Sequence, residues 1–95
     1  MEKVIVHPRI LRLHPELTEE DILDAWDSII HSRARLEEKP FECIAVGIDS
    51  SGRLIEMVAI RLENRDILIF HAMVPPSKKT LKELNLLGKR RKEWM

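Results

Sequence analysis

Tyrosine is missing from this chain, cysteine occurs once, glycine three times, and two Trp with two Phe supply all its aromatic rings. Each shortage removes a class of protein. A lone Cys43, in the apolar run from Phe41 to Ile44, excludes an internal disulfide and a cysteine-based metal site and suits a small buried hydrophobe. The three glycines form no P-loop, no GxGxxG and no GxSxG, so nucleotide binding and serine-hydrolase chemistry lack support. No apolar run approaches the roughly 18 residues of a membrane helix, and the N-terminus lacks a signal-peptide core. The expectation is a cytoplasmic protein with no membrane partner. Repeats, low-complexity tracts and linkers are also missing. A single α+β domain over residues 1–88 is therefore expected, with a basic tail at 89–95.

Charge is present in quantity but balanced, with 16 basic and 16 acidic residues in 95. Net charge thus carries no signal for nucleic acid. The charge is segregated, however. Glu16, Glu19, Glu20, Asp21, Asp24 and Asp27 crowd one early segment, whereas Lys78, Lys79, Lys82, Lys89, Arg90, Arg91 and Lys92 crowd the C-terminal end. Such asymmetry marks either a basic working surface or two solvated helix faces.

Local signals predict the element order. Val4 to Val6 reads as a short strand or extended lead-in. His7-Pro8 opens a short helix that stops near Leu13, because Pro15 biases His14 away from helical geometry. Thr18 caps the next helix, with Asp21 completing a variant capping box. Ile22, Trp26, Ile29 and Ile30 then recur at helical spacing, which predicts a helix to about His31. Three strands follow over Phe41 to Asp49, Leu54 to Glu63 and Asp66 to Met73, joined by connections too short for parallel crossovers. Ser77 caps a last helix ended by Gly88. The predicted fold is α+β: N-terminal helices, then a three- to four-stranded antiparallel meander, then a C-terminal helix.

Two-residue turns at Ser51-Gly52 and Asn64-Arg65 would fix the registers. One face would then carry Ile44, Val46, Ile48, Ile55, Met57, Ala59, Leu68, Phe70 and Ala72, and hold the helices. The other would carry Cys43, Ala45, Gly47, Glu56, Val58, Ile60, Ile67, Ile69, His71 and Met73. Glu56 would lie opposite Gly47 and Met73, with His71 diagonal to it. A one-residue slip would separate the pair.

The segment Ile67 to Leu84 concentrates the chemistry. Lys78 and Lys79 open a helix whose positive dipole end ordinarily attracts acids, a mismatch of roughly 0.3–1 kcal/mol per exposed charge. The lysines are either solvated helix surface or a phosphate clamp. His71 beside Glu56 is either a structural hydrogen-bonded pair or a general acid/base with its partner. With Lys78, Lys79, Arg61 and Arg53 as phosphate contacts, these groups would suffice for metal-free RNA cleavage through the 2′-hydroxyl. No cofactor is expected. Nor is a metal, because His7, His14, His31 and His71 lack ligand spacing.

RLHPELTEEDILDAW (Arg12 to Trp26) and GRLIEMVAIRLENRDILIFHAMVPPSKKTLKEL (Gly52 to Leu84) together resemble BrnT-type toxins. Those toxins have a histidine before a capped acidic helix, then a hairpin, a final strand with a Ser-Ala-Arg-like step, and a basic helix. The resemblance implies a RelE-like fold, a ribonuclease that blocks translation, and neutralisation by a cognate antitoxin. It places His14 at the family's histidine as an accessory residue, and Lys78 and Lys79 at the start of the basic helix. Met73 stands where the family tends to have arginine, and His71 where it has serine. The rival expectation is a non-enzymatic binding module, such as a degenerate toxin, that uses Val58, Ile60 and Ile69 as an interface for a partner protein or a second copy. Its basic tail would then contact nucleic acid.

Overall fold

The structure, a computed structural model, describes residues 2–35 and 42–86. The proposed tail at 89–95 and the helix stop at Gly88 lie outside the described residues. Eight elements follow one another: β1 (Val4–Val6), α1 (Pro8–Leu13), α2 (Glu19–Asp27), β2 (Ile29–Ala34), β3 (Glu42–Ile48), β4 (Leu54–Arg61), β5 (Ile67–Met73) and α3 (Lys78–Glu83). The class is α+β, but the sheet is five-stranded and mixed, ordered β1-β5-β4-β3-β2. Four strands are antiparallel neighbours, while β1 lies parallel to β5, pairing Val4 with Ile67 and Val6 with Ile69.

Local sequence explains the helices. The His7 imidazole caps α1 by accepting from the Arg9 amide at 3.0 Å, ahead of Pro8 in the first turn. Thr18 and Asp21 exchange two 3.0 Å bonds in a reciprocal capping box at the start of α2. That helix ends at Asp27, with Ser28 as its C-cap. The expected extension to His31 is thus corrected. The β-branched pair Ile29-Ile30 begins an edge strand whose backbone pairs with β3, and the sheet outcompetes another helical turn.

Both hairpins differ from the expected two-residue turns. In each, an αL residue ends a three-residue loop: Gly52 at φ 87° and Arg65 at φ 76°. The flanking bonds have the same form, Asp49 N–H to Arg53 O at 3.0 Å and Leu62 N–H to Asp66 O at 2.8 Å. The extra residue shifts β3 against β4 by one, so Glu56 pairs with Val46 rather than Gly47. Between β4 and β5 a bulge beside Val58/Ala59 undoes the shift, and Glu56 faces Met73 as expected.

The faces therefore divide differently from the expectation. One face carries Ala45, Gly47, Ile55, Met57, Ala59 and Ile69, and packs against Ile10 of α1 and Ile22 and Ala25 of α2. The other carries Ile44, Val46, Glu56, Val58 and His71, and packs against Leu84 at the end of α3. Gly47 does not open space beside Glu56. It lies under α2, where a Cβ would collide with the Ala25 carbonyl. No helix among the described residues is long and apolar enough to cross a membrane.

Candidate functional site

β1 pairs with β5 only as far as Ile69, and beyond that point α1 takes its place beside β5. The gap between α1, β5 and α3 is a cleft of about 370 Å³. Glu56, Val58, Phe70 and His71 line it from the sheet, Arg9 from α1, His14 from the C-cap of α1, and Ser77, Lys79 and Thr80 from the start of α3.

Glu56 and His71 meet there. Glu56 Oε2 is 2.6 Å from His71 Nε2. Glu56 Oε1 accepts from the Ser77 amide at 2.9 Å and the Ser77 hydroxyl at 3.0 Å. The residue is 5% exposed. Burial pushes its proton affinity up, but hydrogen bonds from His71, Ser77 and Thr80 outweigh that and hold the pKa down at about 2. Glu56 also accounts for the lysines at the helix start. No acid lies in the first turn of α3, and the sheet supplies the carboxylate to its N-terminal residue instead.

A second polar tie holds the other end of α3. Arg35 grips Glu83 in a fork, Nε to Oε2 at 3.0 Å and the terminal nitrogen to Oε1 at 2.9 Å. Its remaining nitrogen donates to Glu42 at 3.0 Å. These bonds raise the Arg35 pKa and lower that of Glu83. Glu42 and Arg35 also line the cleft, their charges already paired. The other basic groups on the cleft walls are Arg9, Lys79, His71, which is bonded to Glu56, and His14, whose Nδ1 lies 3.5 Å from a Glu16 carboxylate oxygen.

The other expected phosphate contacts lie elsewhere. Arg53 donates to Asp49 at 2.8 Å, to Asp21 at 3.1 Å and to the Glu16 carbonyl at 3.1 Å, tying the β3–β4 loop to the α2 cap. Burial would raise the Asp49 carboxyl, but the bonds from Arg53 and Ser51 hold it low. Arg61 ends β4 with its guanidinium 3.7 Å from Glu2, on the wall of a separate pocket with Trp26 and Cys43. Lys78 is exposed and does not line the cleft, whereas Lys79 does. Of the interface residues suggested for a binding module, Val58 is 6% and Ile69 0% exposed, and Ile60 is half-buried. Among the described residues no group of three or more His, Cys, Asp or Glu could hold a metal ion.

Sequence reasoning did not single out Arg9, Arg35 or Ser77 as parts of this site. Ser77 had one visible signal, its position as a helix cap. Arg9 and Arg35 had none, because the cleft joins segments far apart in the chain. Comparison with family models, curated proteins and solved structures returns no match.

Proposed function

We propose that the cleft acts on RNA and that the protein is a toxin-like ribonuclease of a bacterial toxin–antitoxin pair, needing no metal. The observation that carries this reading is the Glu56–His71 bond on the floor of a cleft rimmed by Arg9, His14 and Lys79. Held through Nε2 by a carboxylate, a neutral imidazole keeps a lone pair on Nδ1 and can accept a proton. His71 takes the 2′-hydroxyl proton, the O2′–P bond forms, and the P–O5′ bond breaks. The leaving 5′-oxygen takes a proton from His14 or water. Arg9 and Lys79 hold the non-bridging oxygens as charge builds on phosphorus. A cognate antitoxin would neutralise the protein in the cytoplasm, and homodimerisation belongs to the same proposal.

The test is incubation of the purified protein with single-stranded RNA in EDTA. The expected products carry 2′,3′-cyclic phosphate ends, and His71→Ala slows their formation about 100-fold or more. RNA that stays intact with the wild-type protein overturns the reading.

One observation favours the rival. Both Glu56 oxygens are already bonded and anchor α3, as a structural pair would. A non-enzymatic module would bind RNA phosphates through Arg9 and Lys79 without cutting them. RNA binding that Arg9→Ala weakens, with no cleavage, would identify it.

A further inference from the structure

The start of α3 belongs to the chemistry of the cleft as well as to the fold. Glu56 meets His71 through Oε2 and Ser77 through Oε1. The carboxylate cannot rotate to offer His71 another geometry without breaking both Ser77 bonds. We infer that Ser77 is a positioning residue, which locks the Glu56 carboxylate so that His71 is held in its Nε2–H tautomer with Nδ1 free to act as base. For its kinetic consequence the inference rests on the ribonuclease reading. For the tautomer it does not.

Three features support this role. Glu56 stays ionised through the neutral range, so a neutral His71 can meet it only by donating from Nε2. The Ser77 hydroxyl is itself fixed, accepting from the Thr80 amide at 3.2 Å and lying 3.2 Å from the Thr80 hydroxyl. Nδ1 of His71 has no hydrogen-bond partner among the described residues. The other charged groups on the cleft are Arg9 of α1, His14 at its C-cap, Lys79 of α3 and the Arg35–Glu42 pair. None of them is hydrogen-bonded to the His71 ring, whose hydrogen-bond partner among the described residues is Glu56.

Ser77 also caps α3, so the test must separate capping from positioning. Aspartate caps as well as serine does, but it would set a second carboxylate against Glu56. The imidazole nitrogens are read by nitrogen-15 NMR on the free protein near pH 8, with His71→Gln assigning the signals. Wild type should show one tautomer, protonated at Nε2. Ser77→Asp should give a mixture of the two tautomers and lower kcat about tenfold or more, with KM within about twofold. Ser77→Thr should restore both. The Leu84 methyl signals report whether α3 stays docked, and Ser77→Ala is the milder replacement if Ser77→Asp releases it. A docked variant lacking the Ser77 hydroxyl that keeps the single tautomer, and the wild-type kcat where RNA is cut, overturns the inference. If no form of the protein cleaves RNA, the ribonuclease reading fails and the tautomer measurement still decides the role of Ser77.

Discussion

The two faces of the sheet are held by different forces. Under α1 and α2 the contact is a continuous apolar core, in which Ile22, Ala25, Ala45, Ile55, Met57 and Ile69 are fully buried and Gly47 lets the α2 backbone touch the strand. Under α3 the apolar patch is smaller, centred on Ile44, Val46, Val58 and Leu84. There the helix is fastened at each end by a polar tie, Glu56 to Ser77 and Arg35 to Glu83. Apolar burial is non-directional and gives stability in proportion to area. Charge-assisted hydrogen bonds give geometry. The face with less area and more geometry is the one that opens into the cleft.

The sharpest way to break this contrast is Gly47→Ala. The added Cβ meets backbone, which cannot swing aside, so a loss of about 3 kcal/mol or more is expected in urea unfolding. A loss below about 1 kcal/mol would mean that α2 is not seated tightly on this face.

On the α3 face, Glu56→Gln should cost less, about 1–2 kcal/mol at pH 7, because an amide retains acceptor capacity toward Ser77. Its pH dependence is the stronger test. The Glu56 pKa is depressed on folding, from 4.5 to about 2. Its stabilisation is therefore complete above about pH 4.5 and is lost as pH falls toward 2. The stability gap between wild type and Glu56→Gln should be constant near neutrality and narrow on acidification through that window. A gap that stays constant down to pH 2.5 would show that Glu56 is not held by these bonds.

Arg35→Gln should have the smallest effect, about 1 kcal/mol, since the pair is partly exposed. It should also loosen α3, seen as faster amide exchange at Leu84 with α2 unaffected. Equal loosening of both helices would dissolve the distinction between the faces.

The hairpins made the site only partly legible in the sequence. The sequence pattern marked both turns, but not that each holds three residues. The third residue moves Gly47 and the whole of β3 by one position relative to Glu56. The pairing of Glu56 with Met73, and the nearness of His71, came out as expected because the bulge in β4–β5 offset the longer turn. In the sequence, charge alone marks Arg53 and Arg61 as phosphate contacts. Whether a guanidinium is free depends on acids that fold beside it, and Arg53 meets Asp49 and Asp21.

By itself the sequence determined what depends on near neighbours. The Thr18–Asp21 capping box, Pro8 after the His7 cap and the Ser77 cap all rest on bonds within a few residues. Only the tertiary structure decided what depends on distant partners. These features are β1 lying parallel to β5, β2 in place of a longer helix, the face each β3 residue occupies, and the two ties that seat α3. Register and ion pairing join segments tens of residues apart, and a single residue in a turn or a bulge reassigns every side chain beyond it.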